Sequence, residues 1–186
     1  GEGVILSAGD TLSVSPSLLT DRDVLMRAAA ANDHDGVLAA FTGDFLPDFA
    51  APGGAEFEAW ADVERRRIRS LFQRSTEASV RELLGRGRTR DAIVRARRGR
   101  DVDPGHQSSW RLVLEVLIAS QEWTQAQVEG ESFERMIERE EVELEPASRS
   151  LLRIVRQGAH DSAGPEAPRG GITAELVGRE REFALL

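Results

Sequence analysis

Apolar residues recur along this chain at two spacings. Near the start, Val4-Ile5-Leu6-Ser7 and Thr11-Leu12-Ser13-Val14 flank Ala8-Gly9-Asp10. Short β-prone runs around a Gly-Asp pair predict a small hairpin. Two strands alone are marginal in water, so the hairpin reads as part of something larger upstream. From Thr20 onward the spacing becomes helical. Thr20 is placed to cap a helix with Asp21 and Asp23 in its first turn, favourable at the positive end of the helix dipole. A turn at Asn32-Asp33-His34-Asp35-Gly36 and a short helix from Val37 to Phe41 follow. The loop Gly43-Asp44-Phe45-Leu46-Pro47-Asp48-Phe49 is rich in apolar side chains, which should pin it into a core.

The longest helix is expected from Glu56 to about Gly85. Phe57, Trp60, Ala61, Ile68, Leu71, Phe72, Ser75 and Ser79 fall near one face of it, the i, i+3, i+4 stripe of an amphipathic helix. Gly85-Arg86-Gly87 stops it. A second helix runs from Thr89 to about Asp101, with Ala92, Ala96 and Gly99 on its packing side. Ser108 to Ser120 is apolar nearly all round, as expected of a helix buried on several sides. Trp123 to Glu141 carries Ala126, Phe133, Met136 and Ile137 as its stripe, and Pro146 opens a last helix through Val155.

These helices repeat. A shift of 34 residues maps Val80 on Leu114, Leu83 on Leu117, Leu84 on Ile118, Ala92 on Ala126 and Val94 on Val128. That period is the tetratricopeptide length, one helix-turn-helix per repeat. Such repeats bury a face only by stacking on neighbours, and the fold usually binds partners. The expected fold is therefore all-α: tetratricopeptide-like antiparallel helix pairs stacked as a right-handed superhelix, with a short N-terminal β-hairpin.

Composition narrows the class. The 186 residues allow one full domain plus appendages. Cysteine is absent, which excludes disulfides and thiolate metal sites and suits a cytoplasmic location. No apolar run approaches the ~18 residues of a membrane span, and no signal peptide is visible. The net charge of −8 hides an asymmetry: residues 1–63 carry −9, residues 64–100 carry +9, and residues 101–186 carry −8. Every basic residue is Arg. The basic block could attract phosphate, but it has few aromatics for base stacking, and pairing within the protein or solvation is the favoured expectation.

Several motifs in order carry a resemblance: the loop GDFLP, the long helix EFEAWADVERRRIRSLF, the turn LLGRGRTRDAI, the junction RDVDP and the closing ELEPASRSLLRIV. Together they resemble the bacterial transcriptional activator domain of the Streptomyces antibiotic regulatory protein type. That family's domain is an all-helical tetratricopeptide-like bundle placed directly after an OmpR-like winged-helix DNA-binding domain. The flanks agree. Val4 to Val14 looks like the closing hairpin of a winged helix. Leu176-Val177-Gly178-Arg179-Glu180-Arg181-Glu182 resembles the opening of a STAND or AAA-type ATPase domain.

The implied organisation is a winged-helix remnant at 1–16, the activator domain at 17–157, a Gly/Pro-rich linker at 158–171 and a truncated opening ATPase segment at 172–186. The resemblance implies a regulatory and interaction domain that couples DNA binding to an ATPase or sensor region and supports dimerisation. Its partners would be the neighbouring winged-helix and ATPase domains and RNA polymerase or a second subunit. DNA would be met only through the missing N-terminal domain, and no membrane is involved.

The chain departs from the family pattern in several respects: the DNA-recognition helix of a winged helix is absent, the second repeat has Gly130 where the first has Ala96, Trp123 replaces the usual small or polar turn residue, and a phosphate loop of the G-x-x-x-x-G-K-[ST] kind is impossible without Lys, so no ATP site or other cofactor is expected here. His34, His106 and His160 lack the helical spacing of a metal pair and read as exposed loop histidines. The serines and threonines show no G-x-S-x-G elbow. No catalytic residue, cofactor site or metal site is expected, and the chain reads as a non-enzyme. By resemblance to tetratricopeptide folds, Arg74, Glu77, Arg81, Arg111 and Glu115 would face a concave partner-binding groove. The alternative for those residues is local pairing: Arg74 or Arg81 with Glu77, and Arg111 with Glu115. Two further functions compete with the regulator: a stand-alone tetratricopeptide adaptor that captures a peptide in that groove, and direct nucleic-acid binding by residues 64–100.

Overall fold

In a computed structural model, which describes residues 5–8, 11–15, 18–47 and 54–162, the chain is built mainly from α-helices. Seven of them follow in chain order: α1 (Asp21–Ala30), α2 (His34–Ala40), α3 (Ala55–Gly85), α4 (Thr89–Val102), α5 (Gln107–Ala119), α6 (Trp123–Glu140) and α7 (Pro146–Ser162). Ahead of them β1 (Ile5–Ala8) and β2 (Thr11–Val14) pair antiparallel, Ile5 opposite Val14.

Local sequence explains most boundaries. Thr20 accepts the Asp23 amide at 3.2 Å, and the Asp23 carboxylate accepts the Thr20 amide at 3.2 Å. This reciprocal box satisfies two donors that the first helical turn leaves free. The Thr20 hydroxyl also donates to Asp23 and, as the main cause, holds its carboxyl below the usual value. The short second helix starts earlier than its apolar pattern predicts. Asp33 accepts the Gly36 amide at 2.9 Å and so caps the helix at His34.

One turn recurs between paired helices. In α1–α2 the Asp33 amide reaches back to the Ala28 carbonyl at 2.9 Å, and Asn32 to Ala29 at 3.2 Å. In α3–α4 Arg88 binds Leu83 at 2.8 Å and Gly87 binds Leu84 at 2.9 Å. In α5–α6 Glu122 binds Leu117 at 2.9 Å and Gln121 binds Ile118 at 3.0 Å. These are Schellman closures, which need a left-handed residue just past the helix end. Asn32, Gly87 and Gln121 supply it, with φ of 53°, 71° and 57°. The last two turns stand 34 residues apart, so the periodicity of the sequence is also a periodicity of backbone geometry.

Each helix packs on the next, and α5 also touches both α3 and α7. Helices α3, α5 and α7 thus form a row, with α4 and α6 against it. Two apolar clusters fill the stack. Leu25, Val37, Leu38, Phe41, Ile68 and Phe72 form one, in which the Phe41 and Phe72 rings lie 4.4 Å apart. The larger one runs from Val80 to Val155, with the Trp110 and Phe133 rings stacked at 5.5 Å. The repeat-related pairs Val80/Leu114, Leu83/Leu117 and Ala92/Ala126 are all buried in it. Val94 and Val128, also repeat-related, are both exposed, at 63% and 58%.

The apolar loop is held as its composition requires. Arg65 of α3 donates to the carbonyls of Phe45 and Leu46, each at 2.9 Å. Arg69 forks onto Asp44, and the Phe45 ring meets Trp60 edge-on at 5.7 Å. Asp48 and Phe49 lie outside the described residues.

Three expectations are corrected. Trp60, assigned to the buried stripe of α3, is 46% exposed and covers the loop instead. His34 is half-buried, with Nδ1 3.3 Å from the Ser75 hydroxyl, because it opens α2 where that helix lies on α3. The stretch 158–171, read as linker, begins as helix: α7 continues to Ser162. Trp123 explains this. Its indole lies against the backbone at Gly158, where an added Cβ would come within 2.2 Å of the ring. The remainder of that stretch and the segment 172–186 lie outside the described residues.

Candidate functional site

The row of α3, α5 and α7 carries the charged residues singled out from sequence. Arg74, Glu77 and Arg81 project from α3, and Arg111 and Glu115 from α5. Four of the five form one electrostatic group. Arg81 donates to Glu77 at 3.0 Å. Glu115 is exposed by area, yet crowding by protein raises its pKa above the usual value, an effect that the Glu77 charge reinforces and Arg111 and Arg81 oppose.

The local pairings hold in part. Arg81 with Glu77 forms. Arg111 does not hydrogen-bond Glu115; it reaches across to the start of α7, where it binds Glu145 and the Ser148 hydroxyl, the latter at 3.1 Å. The N-terminal end of α7 approaches α5 closely enough to compete, and the backbone there is fixed by Gln107, which accepts the Glu145 amide at 3.0 Å and donates to the Glu143 carbonyl at 2.7 Å. Arg74 is exposed and makes no hydrogen bond or ion pair among the described residues.

This arrangement offers binding chemistry: guanidinium forks suited to carboxylates, and an acid already biased toward protonation. It offers no nucleophile–base pair. Among the described residues no group of His, Asp and Glu is placed to hold a metal ion, and no buried side-chain polar atom lacks a hydrogen-bond partner. No helix among them is long and apolar enough to cross a membrane.

Most arginines of the basic block from 64 to 100 are paired, some on their own helix and some across the stack. Arg95 pairs with Asp35 at 2.9 Å, and Arg98 donates to the Leu38 carbonyl at 3.2 Å. Arg97 and Arg100 converge on the buried carboxylate of Glu129 in α6, Arg97 at 2.8 Å. Arg100 also lies 5.0 Å over the Trp110 ring. Only Arg66, Arg74 and Arg90 of the block make no such bond among the described residues.

One hollow was not marked by the sequence. It lies between α6 and α7, has a volume of about 480 Å³, and is lined by Gly130, Glu131, Glu134, Leu152, Val155 and Arg156. The signal that could have found it is the 34-residue shift itself, which places Gly130 at the position of Ala96.

Comparisons with protein-family models, with curated proteins and with solved structures give no match to this chain.

Proposed function

We propose that the chain is a regulatory and protein-interaction module of a bacterial transcriptional activator, a tetratricopeptide-like stack that couples a winged-helix DNA-binding domain to an ATPase or sensor region. The observation that carries the interaction role is the row of α3, α5 and α7, on which Glu77, Arg81, Arg111 and Glu115 form one electrostatic group. Recurrence of one backbone turn at the 34-residue register supports the tetratricopeptide reading. The order of motifs from GDFLP to ELEPASRSLLRIV supports the activator reading. In this reading β1 and β2 are the closing hairpin of the winged helix, and partners are the adjoining domains, RNA polymerase or a second subunit in the cytoplasm.

The coding sequence on either side of the chain tests the reading. A winged-helix region before Gly1 and a G-x-x-x-x-G-K-[ST] loop after Leu186 are the expected result. A stop codon directly after Leu186, with no DNA-binding region before Gly1, overturns it and leaves the peptide-capturing adaptor. That second reading is favoured by Arg74, which stands exposed on α3 with no partner among the described residues. Mass measurement across concentration tests dimerisation separately; a strict monomer at high concentration removes it for this module.

A further inference from the structure

Two faces of α6 border two different hollows. Gln127, Gly130, Glu131 and Glu134 border the one against α7. Ser132, Arg135, Met136 and Arg139 border another, of about 530 Å³, whose far wall comes from the end of α4, the turn after it and α5: Arg100, Asp101, Pro104 and Trp110. Trp110 and Met136 are buried and make its floor. The acids of the far wall are already taken. Arg100 turns Nη1 to Glu129 and holds Asp101 through Nε and Nη2, at 3.1 and 2.7 Å. With Arg97 as the second partner of Glu129, two guanidinium groups face two carboxylates, and that wall is neutral.

The α6 wall is not neutral. Arg135 donates through Nη2 to the Ser132 hydroxyl at 2.9 Å, and that hydroxyl donates on to the Val128 carbonyl at 2.9 Å. The chain of bonds steadies the guanidinium without neutralising it, because Arg135 has no carboxylate partner among the described residues. Arg139 stands one turn further along. The acid it pairs with is its chain neighbour Glu140, and the two side chains are 70% and 48% exposed; such a pair holds little. Like charges at i, i+4 on a helix repel. An anion held between them removes that repulsion, and guanidinium groups take phosphate oxygens in forked pairs. We infer that this hollow binds a phosphate monoester, with the phosphate between Arg135 and Arg139 and the esterified group over Trp110 and Met136. A monoester carries close to two negative charges at neutral pH, which matches the two arginines. A free phosphorylated metabolite and a phosphorylated side chain of another protein both bring this chemistry. The inference stands apart from the regulator reading, because it uses only the charges and walls of this hollow.

Titration of the whole chain, followed through amide and indole NMR cross-peaks, tests it with two probes: phenyl phosphate for the free molecule and a capped phosphoserine pentapeptide for the side chain. The expected result is a saturable shift of the Ser132 and Arg135 amides and of the Trp110 indole N–H, which donates to the Pro104 carbonyl at 2.7 Å beside the hollow. Arg135→Gln and Arg139→Gln should each weaken binding by about tenfold or more. Arg153→Gln, which removes an exposed arginine of α7 outside the hollow, should leave binding unchanged. Tighter binding of phenyl phosphate supports the site and names the free molecule as its source; tighter binding of the peptide supports it and names the side chain. Amides of α3 to α5 report whether each variant is folded. Three results overturn the inference: no saturation by either probe at millimolar concentration, binding that survives both Arg135→Gln and Arg139→Gln, or a loss in Arg153→Gln equal to that in Arg135→Gln, the mark of diffuse attraction to charge.

Discussion

Gly99→Ala is the sharpest probe of how the helix pairs meet. A Cβ at Gly99 would stand 2.8 Å from Cγ2 of Thr76 on α3, and Thr76 is 2% exposed. Thr76 cannot turn away without loss, because its hydroxyl donates to the Phe72 carbonyl at 2.9 Å. On an open helix surface the substitution would stabilise by about 1 kcal/mol through helix propensity. Overpacking at a tight contact costs about 1–3 kcal/mol. The clash outweighs the propensity, and a net loss of about 1 kcal/mol is expected, lowering the melting temperature by about 2–4 °C for a chain of this size. Thr76→Ser keeps the hydroxyl and removes the offending methyl. The double variant Gly99→Ala/Thr76→Ser exchanges one methyl for another in the same space and should return to within about 0.5 kcal/mol of the parent. Thermal and urea unfolding of the four proteins measure the coupling. If Gly99→Ala alone is more stable than the parent, the close approach of α3 and α4 is refuted.

Glu129→Gln leaves Arg97 and Arg100 facing each other without their shared carboxylate, and should cost about 2–3 kcal/mol in urea unfolding. Glu115 has a raised pKa through crowding first and the Glu77 charge second, so the folded state holds its proton more tightly than the unfolded one. Its contribution to stability therefore falls as pH rises from its ordinary value of 4.5 into the raised range. Glu115→Gln should gain stability over the parent across that window, and a difference that stays flat from pH 4 to 7 would reject the assignment. Asp44 works in the opposite sense: Arg69 lowers its pKa, so Asp44→Asn should remove stability that the parent loses only below its ordinary value of 3.8. For DNA, the three arginines of the basic block that remain without partners limit phosphate contacts to about three, so retention should be weak, with log K falling against log salt at a slope no steeper than about −3. A markedly steeper slope would show that the ion pairs open to bind nucleic acid.

Helix identity was legible from residue spacing, and the reasons are visible in the packing. Ile68, Leu71 and Phe72 of the α3 stripe pack in the smaller apolar cluster, the nearly all-round apolar α5 sits in the larger one, and Thr20 caps α1 through its own side chain. Signals failed where a distant contact decided the outcome. Nothing in the glycine-bearing sequence after Gln157 extends a helix by propensity; Trp123, from α6, holds Gly158 in α7. Trp60 looked like a core residue by period but faces the 43–47 loop, whose position depends on Arg65 and Arg69. For the charged row, the sequence located the residues but not their pairing. The choice of Arg111 between Glu115 and Glu145 depends on where α7 begins, and that is a tertiary fact.

The uneven distribution of charge along the chain becomes intelligible as the wiring of the stack. Helix α4, in the basic block, lies between α3 and α5 and within reach of acidic segments on both sides: Arg95 reaches back to Asp35 in α2, while Arg97 and Arg100 reach forward to Glu129 in α6. Arg22 of α1 meets the opposite case, a buried glutamate, Glu64, at the edge of the basic block, at 3.0 Å. The exposed pairs among these add little stability each. Their larger effect is on register. The α3–α4 and α5–α6 pairs share one turn geometry and one period, so apolar burial alone tolerates a stack displaced by a repeat. A helix seated in the place of α6 without a carboxylate at the position of Glu129 would leave Arg97 and Arg100 without their shared partner. The pairing of Arg97 and Arg100 with Glu129, and of Arg95 with Asp35, therefore favours the observed order among packings that the hydrophobic pattern leaves nearly equivalent.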